Sequence, residues 1–138
     1  MTGPGPSPVD WVREEVEHYR RTGEGLRGRR VVLLETTGCR TGLTRTTPLM
    51  RVHARGTFAV VASWRGADRH PAWYLNLLAD PRVVLQDGFA RHELLAREVQ
   101  GPERAAWWSR ACVAFPAYSG YASATTRPIP VLVLVPRD

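Results

Sequence analysis

The sequence predicts an α+β protein, an antiparallel barrel of about six short strands with helices between them. Short apolar or alternating runs recur along the chain, bounded by Gly, Pro and Asp, as strands are. Two pairs of these runs are joined by hairpin signals, Ala54-Arg55-Gly56 and Asp87-Gly88. Stretches with helical spacing fall between the pairs, and the chain carries neither G-x-G-x-x-G nor a Walker phosphate loop, which argues against a doubly wound sheet.

Residues 1–8 are Pro/Gly-rich, without the basic head and apolar stretch of a secretion signal, and are expected to form a flexible arm. Residues 9–138 are expected to form one domain, a size that buries roughly 68–70% of its unfolded surface without a staple. Val12, Val16 and Tyr19 share one face of an amphipathic helix that follows Pro8-Val9-Asp10 and ends at Gly23, Gly25 and Gly28. That helix is expected to pack on the barrel as a lid. Its Trp11, Arg20 and Arg21 also suit a weak contact with a membrane surface.

Val31–Leu34 reads as a buried strand, and Thr46–His53 and Thr57–Trp64 as an antiparallel pair. Pro71 suits the first position of a helix, with Asp68 or His70 at its cap, running through Leu78 and stopping before Asp80-Pro81. Arg82–Gln86 and Ala90–Val99 form the second hairpin. Gly101-Pro102 opens a helix with Ala105, Trp108, Cys112 and Phe115 on one face. The stretch FPAYSGYASATTRPIP reads as irregular, and Val131–Val135 closes the sheet.

The net charge is +6, and all 19 basic residues are arginine. Any anion bound here is therefore held by guanidinium groups or by backbone. The arginines are spread along the chain, so a nucleic-acid partner is not expected. His18, His53, His70 and His92 lack metal-ligand spacing, and no metal is expected. No nucleophile elbow is present, and Cys39 has no histidine nearby in sequence, so a cofactor is the natural source of reactivity. Two separated cysteines and no apolar run of roughly 18 residues point to a cytoplasmic protein, membrane-peripheral at most.

The stretch ETTGCRTGLTRTTPL, residues 35–49, is the most suggestive. Gly38 and Gly42 allow positive φ and close backbone approach. Successive N–H groups in such a turn form an anion-binding concavity, with Arg40 and Arg45 beside it.

Together with VVASWRGADRHPAWYLNLLADP and FPAYSGYASATTRPIPVLVLVP, this stretch resembles the three signature regions of the deazaflavin-dependent nitroreductase family, in the same order and over residues 9–136. The resemblance implies a split β-barrel that binds coenzyme F420, a deazaflavin with a phosphate and a polyglutamate tail. It implies hydride transfer to an electron-poor acceptor such as an enone, a quinone or a nitro compound. Gly38, Arg40 and Arg45 would hold phosphate and tail, and Thr46, Thr47 and Pro48 would line the cofactor. Ala62, Ser63 and Trp64 would run along the ring, His70, Pro71 and Trp73 would enclose it, and Asn76 would add a polar contact. Tyr118 and Tyr121 match substrate-facing tyrosines and are the candidate catalytic residues. Where the family commonly has Gly-Arg-Lys this chain has Gly38-Cys39-Arg40. Trp64 and Phe115 stand where polar residues are usual, which implies a more apolar pocket. FMN on the same barrel is the alternative cofactor, and a non-catalytic small-molecule carrier the alternative function. The oligomeric state is left open.

Overall fold

The structure, a computed structural model, describes residues 9–137; the expected N-terminal arm lies outside them. Helix α1 (Val9–Thr22) is followed by β1 (Val31–Thr37), β2 (Thr44–Met50), β3 (Val52–Ala54) and β4 (Thr57–Val61). Helix α2 (Ala72–Ala79), the hairpin β5 (Arg82–Asp87) and β6 (Ala90–Glu98), helices α3 (Gly101–Ala114) and α4 (Ala117–Ala124), and β7 (Val131–Pro136) complete it.

The seven strands form one antiparallel sheet in the order β2-β1-β5-β6-β7-β4-β3. The expected Thr46–His53 strand is thus two strands. It breaks at Arg51, whose N–H donates to Arg30 O at 3.0 Å, and the chain passes from one end of the sheet to the other. One run of chain supplies both terminal strands, so the sheet is curled into a barrel rather than laid flat. Arg51 also pairs with Asp87 through two hydrogen bonds of 2.9 and 3.1 Å, pinning this corner to the β5–β6 turn.

Strand alternation sorts the side chains into two faces. Val32, Leu34, Phe58, Val60, Leu85, Leu94, Leu132 and Leu134 fill the barrel, and Trp73, Tyr74 and Leu77 of α2 plug it. Outside, Val52, Ala59, Val61, Val131 and Val133 pack against Trp107 and Ala111 of α3 and Tyr118 of α4. Val16 and Tyr19 of α1 cover Val31 and Leu33. The lid expected of α1 is therefore present.

Three local expectations change. Pro71 is the N-cap of α2 rather than its first residue, with no side-chain cap bond from a neighbour. The inward face of α3 is set by Trp107 and Ala111; Trp108, Cys112 and Phe115 lie partly buried beside it, and Ala105 is exposed. The stretch read as irregular contains α4, for which Pro116 serves as N-cap. No helix among the described residues is long and apolar enough to cross a membrane.

Candidate functional site

The antiparallel registers determine which loops meet. Following β1, β5, β6, β7 and β4 in order, the ends at Thr37, Arg82, Glu98, Val131 and Val61 all lie at the same end of the barrel. The Gly38–Leu43 turn, the loop after Val61 and the segment before Val131 therefore share that end. These are the three regions singled out in the sequence.

The turn is stapled by Gly38 N–H to Leu43 O and Gly42 N–H to Gly38 O, both 2.8 Å. Gly42 has φ 73°, as its role requires. Gly38 is needed for space instead: a Cβ there would lie 2.9 Å from Thr41 Oγ1 and 3.1 Å from Leu43 O. Cys39 N–H goes to Asn76 Oδ1 and Leu43 N–H to Thr41 Oγ1. Four of the turn's N–H groups are thus used inside the protein, and the expected backbone concavity is largely spent. Arg40 and Arg45 are exposed and have no carboxylate partner among the described residues.

Opposed residues in β1 and β2 share a face. Arg45 and Thr47 lie opposite Thr36 and Leu34, on the barrel side; Thr46 and Pro48 lie opposite Glu35 and Leu33, on the side that α1 covers. Arg20 of α1 donates to Thr46 Oγ1 at 3.3 Å. The expected lining residues therefore split between two faces. Strand β2 pairs with β1 alone and leaves its other backbone edge open.

Helix α2 ties the regions together. Asn76, 6% exposed, donates to Thr36 Oγ1 at 3.1 Å and accepts from Cys39 N–H at 3.0 Å. Its polar atoms brace the turn. Trp73, 6% exposed, belongs to the barrel core, and Pro71 is buried. The His70 ring lies 4.7 Å from that of Tyr74.

Ala62 and Ser63 are 0% and 5% exposed, and Ala62 N–H donates to Pro130 O. Trp64 opens a 3-10 turn through Gly66 and has φ 43°, unusual for a bulky residue. Gly66 has φ 77°, and a Cβ on it would meet Tyr121 O at 2.9 Å, so α4 rests directly on this loop. Tyr118 packs edge-on to Phe115 at 5.0 Å, with Tyr121 6.3 Å away. Burial, then the neighbouring Tyr121 and Cys112, push the Tyr118 phenol well up, so it keeps its proton.

Arg127, to which the sequence reading gave no role, joins the second and third regions. Its guanidinium donates to the carbonyls of Ala67 (2.7 Å), Ser63 (2.7 Å) and Ala62 (3.1 Å). The only signal available was its place in Thr-Thr-Arg-Pro, which is weak in a chain where every cation is arginine.

A sequence profile described as F420H(2)-dependent quinone reductase matches residues 11–136. The chain belongs to that family. An F420H(2)-dependent quinone reductase of Mycobacterium tuberculosis H37Rv is 39% identical over 109 residues, covering 77% of this chain and 73% of the relative. The solved structure of an F420-H2 dependent reductase, FDR-A, is 45% identical, with a TM-score of 0.73 over 77% of this chain and 94% of the other. The fold is the split β-barrel, shared with a pyridoxamine 5'-phosphate oxidase-like protein of Listeria innocua at 11% identity and a TM-score of 0.55, covering 80% and 86% of the two chains.

The resemblance read from the three regions is thus borne out, with F420 as the family's cofactor. The residues present fit an anionic F420 tail. Arg40 and Arg45 have no carboxylate partner among the described residues, as is true of exposed Arg13, Arg21, Arg27, Arg30 and Arg55; what sets the two apart is their place on the turn where the three regions meet. A separate cleft of about 310 Å³ lies at the opposite end, lined by Tyr19, Arg29, Arg30, Arg51 and Asp87. Two of its arginines are already paired, and none of the three regions reaches it.

Proposed function

We propose that this protein transfers a hydride from reduced F420 to a quinone, at the barrel end where the three regions meet. The observation that carries this reading is the pair of exposed, unneutralised guanidinium groups, Arg40 and Arg45, on the turn braced by Asn76. Guanidinium forks suit the phosphate and carboxylates of the F420 tail. Reduced F420 supplies the hydride.

The protein's own contribution is orientation, water exclusion and electrostatics. Thr47, with Thr46 and Pro48 across the open edge of β2, lines the approach. Ser63 and Trp64, with His70 and Pro71, form a wall for the ring; fully buried Ala62 and core Trp73 support that wall from behind. Tyr118 and Tyr121 face the acceptor and orient its carbonyl. A phenol that keeps its proton acts there as a hydrogen-bond donor. Phe115 beside them favours an apolar acceptor, and enones and nitro compounds are further acceptors of the same kind.

Two free cysteines support a cytoplasmic setting. Exposed Trp11, with the Arg29 guanidinium 5.3 Å from its ring centroid, supports a peripheral membrane contact. Residues 9–138 act as one unit in this reading.

The test is a titration of the protein with F420, followed by intrinsic tryptophan fluorescence, and then a quinone-reduction assay with reduced F420. Saturable binding and quinone-dependent oxidation of the cofactor are expected. Binding without turnover would make the protein a carrier, and a flavin band in the purified protein would make FMN its cofactor.

A further inference from the structure

The loop after β4 holds two residues at positive φ, Trp64 at 43° and Gly66 at 77°. A bulky residue persists in that conformation only where its surroundings over-determine it. The contacts of Arg127 straddle the pair: Ser63 O and Ala62 O precede Trp64, and Ala67 O follows Gly66. Three carbonyls spread over six residues are held by one planar fork, a task to which the fixed geometry of guanidinium is suited and ammonium is not.

Arg127 also presents Nη1 to His70 Nδ1 at 3.2 Å. Guanidinium only donates, so Nδ1 is the acceptor and the ring proton sits on Nε2. Nε2 has no protein partner among the described residues, and His70 is half-buried. No carboxylate forms an ion pair with Arg127 among the described residues, and burial lowers its proton affinity. The acidic group that acts on its charge is Asp68, and its hydrogen bonds go to the loop and to His70.

We propose that Arg127 is a positioning residue for the hydride-transfer site. It sets the shape of the Ala62–Ala67 wall and fixes His70 with Nε2–H available as a donor to the bound ring. The inference rests on the reading that this wall receives the F420 ring.

The experiment compares wild type, Arg127→Lys, Arg127→Ala and Arg40→Ala. Each is titrated with F420 and with the deazaflavin chromophore lacking phosphate and tail, and thermal unfolding is recorded alongside. Arg127→Lys keeps a cation and serves as the folded control if Arg127→Ala unfolds. Both Arg127 variants are expected to lose roughly tenfold or more in affinity, by the same factor for both ligands, since the residue acts at the ring. Arg40→Ala is expected to lose affinity for F420 alone. Methylguanidinium added to a folded Arg127→Ala is expected to restore part of the loss. Folded Arg127 variants that bind both ligands like wild type, or that lose only the tail-bearing one, would overturn the proposal. Wild type that binds neither ligand would instead remove the functional reading beneath it.

Discussion

Asn76 on α2 donates its side-chain amide to Thr36 Oγ1 on β1 at 3.1 Å, and both side chains are shielded from water. The same amide's oxygen takes the Cys39 N–H. One side chain thereby sets the distance between the helix that plugs the barrel and the turn that carries Arg40.

Asn76→Ala removes both bonds and leaves Thr36 Oγ1 and the Cys39 N–H without their partner. A buried group left unsatisfied costs about 1–3 kcal/mol. In a domain of this size that lowers the melting temperature by roughly 3–15 °C. F420 affinity should fall as well, because the brace fixes the turn that carries Arg40. Calorimetry and the fluorescence titration check the two effects, and an unchanged melting temperature would contradict the brace.

Arg40→Ala should weaken F420 binding by about 1.5–3 kcal/mol, the range of a charge-assisted hydrogen bond. Stability should stay within about 0.5 kcal/mol of wild type, because the side chain is exposed and has no carboxylate partner among the described residues. An unchanged dissociation constant removes Arg40 from the site.

Gly66→Ala places a methyl group against the backbone of α4, 2.9 Å from Tyr121 O and 3.1 Å from Tyr121 Cα, at a φ that suits glycine. Backbone on both sides cannot swing away as a flexible side chain would. The expected cost is about 1–3 kcal/mol. Because α4 carries Tyr118 and Tyr121, the quinone KM should rise as well. Wild-type stability and KM together would show that α4 is free to shift.

Tyr74 donates to Glu98 Oε1 at 2.6 Å, and burial, reinforced by that carboxylate, pushes its phenol up to about 12 from an ordinary 10.0. The folded state thus holds a proton that the unfolded state gives up. This stabilisation is complete below about pH 10 and is lost as pH rises through about 12. Denaturant midpoints measured from pH 8 to 12 should be level at first and then fall. Tyr74→Phe should be less stable at neutral pH and fall less steeply above pH 10. Tyr19 and Tyr118 are shifted the same way, so the slope shrinks without vanishing.

The hairpins were legible because their turns are local chemistry: Asp87-Gly88 and Arg55-Gly56 each place glycine at positive φ. The division of Thr46–His53 at Arg51 was not legible, since no Gly or Pro stands there and the break serves distant partners, Arg30 and Asp87. Adjacent Trp107 and Trp108 offered two faces for α3, and in the fold Trp107 is buried in the outer core while Trp108 lies partly buried against it. Helix α4 was hidden by Pro116 and Gly120, but proline is tolerated at a helix start and Gly120 is exposed. In the site, the glycines and arginines of the turn stood out by composition. The tasks of Asn76 and Arg127 depend on partners about 40 and 60 residues away, which spacing alone does not reveal.

Since β2 and β3 are a single run interrupted only at Arg51, the ring's first and last members are neighbours in sequence yet find their partners separately. The circle cannot close until β5, β6 and β7 have bridged the gap between β1 and β4. Refolding should accordingly be paced by this late joining, on the millisecond-to-second scale of non-local β topologies rather than in microseconds.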